Sequence, residues 1–401
     1  MAIGATALAV GLLLTGCAVD EPSGGADSTT GGSEPITVGI VTSTTGPYAS
    51  QGASFINGFE GGLDFATGGT GEVAGRQVNV VIANDNGDPA TGTAAAKDLM
   101  GQGAKFLVGP TNSAVALPVS EIAVQNGGTY IAGASGSSAL LANDHNVFVS
   151  GGGSWMPNQA LFEAVPDAKK IVFIGQDYQY GQDQAALLKT LGESKGIDVQ
   201  SVLLPSTTQD FTAGVLQAKA LEPDLLYVGW QGDGTAQLYQ ALGDQGVYDS
   251  TQVITVLTSR PAIPLFAAAA GDKIADTIAL TPYFEGIGAD NAEEKAMLAY
   301  AADKGEVVDY AHPQGFVAAQ MIVQAIEATN GELEQADVAA ALEGWSFESP
   351  WGAIQIRAED HLLTVPTYAV HYVEDGDDFT ADVIEEFNGN DIAPAVDKSL
   401  P

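Results

Sequence analysis

The chain has 401 residues, 45% of them hydrophobic, so it can bury a large core and is long enough for two domains more readily than one. Fourteen Lys and Arg stand against 50 Asp and Glu, a net charge of −36 that repels phosphate backbones and anionic membrane surfaces and argues against nucleic acid as a partner. A single cysteine excludes a disulfide framework, which leaves the folded part to be held by its core alone.

That cysteine, Cys17, follows a short apolar run from Ile3 to Leu14, too short to span a bilayer but the size of a signal-peptide core. Leu14-Thr15-Gly16-Cys17 resembles the bacterial lipobox, in which cleavage precedes the cysteine and diacylglycerol is attached to its sulfur. No Lys or Arg occurs before Arg76, so the basic segment that normally precedes such a core is missing and the start is expected to lie further upstream. Ala18 to Glu34 is a Gly/Ser/Thr/Asp tract that reads as a tether. The expected division is a signal peptide over 1–16 and a disordered tether over 17–34, with Cys17 as a lipid anchor.

From Ile36 onward the pattern changes. "ITVGIV", "QVNVVIAN", "KFLVG" and "TYIAG" predict buried strands, separated by "GASFINGFEGGLDFAT", "PATGTAAAKDLM" and "AVALPVSEIAVQN" with helical spacing. A second set, "KKIVFIG", "VQSVLL", "DLLYVGW", "QVITVLT" and "TIALTPY", alternates with helices around 181–195, 211–222 and 234–243. Apolar strands alternating with helices imply parallel sheets covered on both faces, here as two α/β lobes joined near 150–158. Asp88 before Pro89 predicts a helix N-cap, Asp210 a second one, and Gly196 after Lys195 a helix end. After Tyr283 come helices at 291–304, 313–330 and 334–343, then short strands "GAIQIR" and "TYAVHYV".

Catalytic and cofactor motifs are not legible. The four histidines form no HExxH pattern and no Cys/His cluster, so neither structural zinc nor any other metal is expected, and neither a P-loop nor a GxSxG elbow occurs. Gly69-Thr70-Gly71-Glu72-Val73-Ala74 fits a dinucleotide fingerprint but precedes a strand instead of following one, so it is read as a turn. No cofactor is expected.

"ITVGIVTSTTGPYASQG", "NDNGDPATGTAAAKDLMGQGAKFLVGPTNSAVALPVSEIA", "DYQYGQD" and "DFTAGVLQAKALEPDLLYVGW" resemble, in order and spacing, successive blocks of the Leu/Ile/Val-binding family of solute-binding proteins for ABC importers, from about residue 35 to 375. The resemblance implies a type I periplasmic binding protein fold: two doubly wound parallel-sheet lobes, joined by a three-crossover hinge, closing on a ligand in the cleft. Lobe 1 is expected over 35–154 plus 283–347 and lobe 2 over 155–282 plus 348–388. The final strands are read as completing lobe 2.

Roles carried over from the family fall on particular residues. Ser113 stands where a hydroxyl and nearby amides hold a ligand carboxylate, Ser135 where a backbone contact is common, and Gly136 replaces a usual Thr whose hydroxyl Ser135 or Ser137 could supply. Tyr180 matches a tyrosine that closes over the ligand, and Trp230 or Gln231 occupies another contact loop. Gln51 in the first loop and Trp155 near the first crossing are further candidates. Arg260 stands near where amino-acid-binding relatives place an acidic residue, and a guanidinium there suits a carboxylate ligand.

The expected function is an extracytoplasmic, lipid-anchored solute-binding component of an ABC importer, taking a small amino acid or organic acid and docking on a membrane permease. It is expected to be monomeric and to have no enzymatic activity. A ligand sensor of the same fold is the alternative; it would need a signalling module or transmembrane helix, and no apolar run after residue 34 is long enough for one. A secreted α/β enzyme stands third, disfavoured by the missing catalytic motifs.

Overall fold

The computed structural model describes residues 34–230, 234–256, 260, 263–376, 378–396 and 400. The expected signal peptide, Cys17, the tether as far as residue 33, and Gln231 lie outside the described residues.

The chain begins as β1 (Ile36–Thr42), α1 (Ala49–Ala66), β2 (Glu72–Val73), β3 (Arg76–Asn84), α2 (Pro89–Gly101), β4 (Phe106–Val108), α3 (Ser113–Gln125), β5 (Thr129–Ala132) and β6 (Val147–Val149). These strands form one sheet in the order β2-β3-β1-β4-β5-β6, parallel throughout except where β2 turns back on β3. Val38 and Ile40 have no exposed surface, as strands covered on both faces require. Residues 69–74 hold the expected turn only in part, because Glu72–Val73 is β2; Gly69, Gly71 and Ala74 around it have positive φ.

A second set follows: α4 (Trp155–Ala164), β7 (Lys170–Gln176), α5 (Gln179–Lys195), β8 (Asp198–Leu204), α6 (Thr212–Ala220), β9 (Leu225–Gly229), α7 (Thr235–Asp244), β10 (Gln252–Val256), α8 (Ile263–Ala270) and β11 (Ile278–Thr281). The chain then returns to helices α9 (Ala292–Asp303), α10 (Ala311–Ala328) and α11 (Gln335–Leu342), continues through β12 (Ser346–Ser349) and β13 (Gly352–Gln355), and ends in β14 (Thr367–Asp375) and β15 (Asp378–Phe387). The second sheet has the order β15-β14-β11-β10-β9-β7-β8, with β14 and β15 antiparallel.

The caps explain several boundaries. The Asp88 side chain accepts from Thr91 N at 2.8 Å ahead of Pro89. Gly196 closes α5 at φ 72° with Lys195 in the last turn, where a cation complements the helix dipole. Asp210 accepts from Thr212 N at 2.9 Å, but Phe211 is the residue flanking α6, so the cap sits one position from that expected.

The chain passes between the two layers three times: after β6, after β11 and ahead of β14. The middle passage delivers α9 and α10 to α1. Glycines let α1 and α10 meet backbone to backbone: a Cβ on Gly58 would lie 2.0 Å from the His312 carbonyl oxygen, and one on Gly315 would lie 2.1 Å from that of Phe55. One expectation is corrected. "GAIQIR" does not complete the second sheet; Gly352–Gln355 pairs with Ser346–Ser349 as a separate antiparallel hairpin, and β12 packs against α9 and α10. β14 does join the second sheet, bringing β15 with it, because the long antiparallel hairpin covers the edge that β11 would otherwise expose.

Candidate functional site

In open parallel sheets, loops and helix N-termini gather at the carboxyl ends of the strands, and ligands bind in the crevice there. The two sheets turn those ends toward one another. Between them lies a cleft of 490 Å³, lined on one side by Pro47, Tyr48, Gly87, Asn112 and Ala114 and on the other by Gln176, Tyr178, Ser206, Thr207 and Gln209. Its volume falls in the range of small-molecule sites, roughly 300–1,000 Å³. None of these ten lining residues carries a charged side chain. A second pocket, lined by residues including Ser135, Gly136, Met156 and Gln314, has only 20 Å³, room for about one water.

Beside the cleft is a layer of hydroxyl and amide groups. Ser113 opens α3, next to Asn112, whose side chain accepts from Ala114 N at 3.0 Å and donates to the Gly87 carbonyl at 2.8 Å. Ser135 Oγ donates to Ser113 Oγ at 3.4 Å, and both serines are buried. From the second layer Tyr180, on the first turn of α5, is buried, and its hydroxyl accepts from Gln184 Nε2 at 2.7 Å. Asn158 in turn donates to Gln184 Oε1. Burial pushes the Tyr180 phenol up to about 12, partly offset by the Gln184 hydrogen bond.

Tyr178 packs its ring 6.0 Å from that of Tyr180 and hydrogen-bonds Tyr48 across the cleft. Burial also raises Tyr48, Tyr178 and Tyr310, so all of these phenols are neutral donors near pH 7. Gln51, on α1, hydrogen-bonds the Tyr310 hydroxyl. Gln51 Oε1, Thr111 Oγ1 and Asn158 Oδ1 are buried without a hydrogen-bond partner, the kind of unfilled demand that a polar ligand or ordered water meets.

The departure at Gly136 has a physical reason. A Cβ there would lie 3.0 Å from Tyr180 Cε2 and 3.1 Å from Ser154 Oγ, and Ser154 donates to the Gly136 carbonyl. A threonine side chain would therefore push against the Tyr180 ring. Ser137 Oγ reaches the α5 residue Asp183 at 3.2 Å and ties the two layers at this point.

Of the residues singled out from sequence, Ser113, Ser135, Tyr180 and Gln51 fall in this layer, and three others do not. Trp230 is buried against Phe211 edge to face, with ring centroids 4.7 Å apart, in the second core. Trp155 is the first residue of α4 and packs half-buried on the first core; its neighbours Met156 and Pro157 face the small pocket. Arg260 is not among the residues that line the cleft. Its Nη1 lies 2.6 Å from Glu285 Oε2 and its Nη2 2.7 Å from Asp378 Oδ2, and it stacks 5.0 Å over the Phe284 ring, so its charge is matched twice by the protein itself, while Nε is buried without a hydrogen-bond partner.

Tyr48, Tyr178, Tyr310, Asn158 and Gln184 were missed. Tyr48 and Tyr178 stand inside quoted blocks, each a few residues from a candidate, whereas nothing in its own stretch of sequence distinguishes Tyr310. His145, Glu343 and His361, which no motif links in the sequence, come together in space.

Two α/β layers, three passages between them and a polar cleft at their facing strand ends define a two-lobed solute-binding protein. A family model described as periplasmic binding protein matches residues 35–377, and the chain belongs to that family. The Leu/Ile/Val-binding protein homolog 1 of Brucella abortus is 25% identical over 370 residues, covering 88% of this chain and 94% of its own. A Leu/Ile/Val-binding protein of Rhizobium johnstonii is 28% identical over 199 residues, 48% of this chain and 54% of its own, so there the match spans about half of the relative. A solute-binding protein of an R. palustris ABC transporter, solved with 4-hydroxybenzoate, shares the fold with a TM-score of 0.77 at 22% identity, covering 92% of this chain and 98% of its own. No helix among the described residues is long and apolar enough to cross a membrane.

Proposed function

We propose that this protein is the extracytoplasmic solute-binding component of an ABC importer and that it captures a small carboxylate, an amino acid or an aromatic acid, between two closing lobes. One observation carries the reading. Ser113 at the N-terminus of α3, with Ser135 against it, offers hydroxyls and backbone amides to an anionic group, facing a wall of neutral tyrosines suited to an aliphatic or aromatic body.

The Leu/Ile/Val-binding relatives and the 4-hydroxybenzoate-bound neighbour support both solute classes. Arg260 leaves the proposed ligand set, because a carboxylate ligand would have to displace Glu285 or Asp378. The protein acts without catalysis, is anchored by lipid on Cys17 after its signal peptide, and delivers solute as a monomer to a membrane permease. Residues 35–154 with 283–347, joined by the β12–β13 hairpin, move as one lobe against the other, and ligand binding shifts the open–closed balance.

The test is a thermal-shift screen of purified protein against amino acids, benzoates and aliphatic acids, followed by calorimetry on the hits. Ligand at a hundredfold over its Kd adds about 2.7 kcal/mol of stability. A carboxylate hit weakened in Ser113→Ala supports the reading; hits confined to sugars or amines would overturn it. Labelling of the expressed full-length chain with an alkyne fatty acid, lost in Cys17→Ser, tests the anchor.

A further inference from the structure

His145 lies on the segment entering β6, Glu343 flanks the C-terminal end of α11, and His361 sits in the loop between β13 and β14. One ligand-type atom from each lies within 4.8 Å of the other two. His145 Nδ1 is 2.6 Å from Glu343 Oε1, and His361 Nε2 is 3.3 Å from the same oxygen.

The other nitrogen of His361 settles where its proton is. Nδ1 lies 2.7 Å from the Val147 carbonyl oxygen, which can only accept, so Nδ1 carries hydrogen. In the neutral ring Nε2 is then a lone pair aimed at a carboxylate oxygen. Two acceptors facing each other repel, and a cation between them removes the conflict.

We propose that His145, Glu343 and His361 bind a divalent transition-metal ion, with zinc the best match to two imidazoles and one carboxylate and with a fourth position left to water. Zinc–ligand distances of about 2.0–2.1 Å give a tetrahedral edge of about 3.3 Å. The His361–Glu343 separation of 3.3 Å already has that length, and the His145–Glu343 contact must open by several tenths of an ångström.

The surroundings have the form of a metal site. The Val147 carbonyl orients the buried ring of His361 through its far nitrogen, as the outer partner of a ligating histidine does. Phe148 stacks on that ring with centroids 4.0 Å apart and planes 10° from parallel, which fixes its direction. The His145 side chain is 50% exposed, giving an ion a way in, and the strongly acidic chain attracts cations. His361 also holds φ at +62°, an uncommon backbone for a residue with a side chain.

A bound ion would join three segments remote in sequence: the approach to β6, the end of α11, and the loop that leads the chain toward β14. It would therefore fasten the third passage between the layers to the first sheet, at a place separate from the cleft.

The experiment uses the full-length protein purified without a histidine tag and stripped with chelator, titrated with zinc by calorimetry and with cobalt(II) by visible absorption. Expected are one ion per chain, a higher melting temperature, and the intense cobalt bands of a tetrahedral site. His145→Ala, an exposed position that should leave folding intact, and Glu343→Gln should each weaken binding by at least tenfold. Zinc binding and melting shifts equal in wild type and His145→Ala, or no binding at all because the three groups are only an imidazolium–carboxylate network, would overturn the proposal. Ser113→Ala should keep the metal affinity, so failure of the solute reading and failure of this one are separable.

Discussion

The serine–tyrosine layer and the Arg260 corner both stand near the carboxyl ends of parallel strands, yet they are chemically opposite. In the layer around Ser113 and Tyr180 the groups are neutral and buried, and several have no partner. At Arg260 the cation is matched by Glu285 and Asp378 and covered by Phe284. A residue's chemistry near a binding loop thus says little until its partners are known. An unsatisfied polar group can receive a ligand, whereas a cation whose two terminal nitrogens are each held by a carboxylate, with only its Nε unpartnered, acts first as a clamp.

Substitutions can break that contrast. The largest effect is expected for Ser113→Ala, which removes the proposed hydrogen bond to a ligand carboxylate, about 1.5–3 kcal/mol, or roughly tenfold to a hundredfold in Kd by calorimetry. Unchanged affinity in that variant, with affinity lost in Arg260→Ala, would reverse the assignment of the two regions.

Arg260→Ala should instead lower stability by about 1–2 kcal/mol in denaturant titration and leave Kd within roughly threefold. The figure lies between values for exposed and buried pairs, because the arginine side chain is 11% exposed while its partners are about half exposed. A Gly136→Ala methyl would press on the Tyr180 ring, costing about 1 kcal/mol in the state where the lobes meet. It should weaken ligand binding several-fold, with a smaller change in melting temperature.

Tyr180→Phe removes the acceptor for Gln184 and should cost about 1 kcal/mol of stability or less. The smallest effect concerns pH. Hydrogen bonding from Arg260, then from Phe379 N, holds the Asp378 carboxyl below its ordinary value. At acid pH the unfolded chain therefore binds this proton before the folded one does. The stability from this group is present above its unfolded pKa, about 3.9, and fades as pH falls through the lower folded value. Acid unfolding of Arg260→Ala should show a shallower loss over that window than the native chain, and parallel curves would show that the ion pair contributes nothing.

Much of the architecture was readable from the residues. β-branched runs alternating with helical spacing marked nine of the strands, and Asp88-Pro89 and Lys195-Gly196 marked helix ends, because these signals act through neighbouring backbone. The strand in "GAIQIR", β13, was misassigned for the complementary reason: four residues of strand carry no record of which edge they will meet.

The sites divide in the same way. Ser113 and Tyr180 were singled out because the family resemblance carries its roles onto them, and the structure places both in the first turn of a helix, Ser113 on α3 and Tyr180 on α5. Tyr310 reaches the same layer from a helix almost two hundred residues beyond Ser113, Arg260 is neutralised by an aspartate 118 positions away, and His145 meets a histidine more than two hundred positions on. Local order along the chain determined the strands, the helices and their ends; which polar groups remain unpaired, and so able to bind, was decided only by packing that brings distant segments within hydrogen-bonding reach.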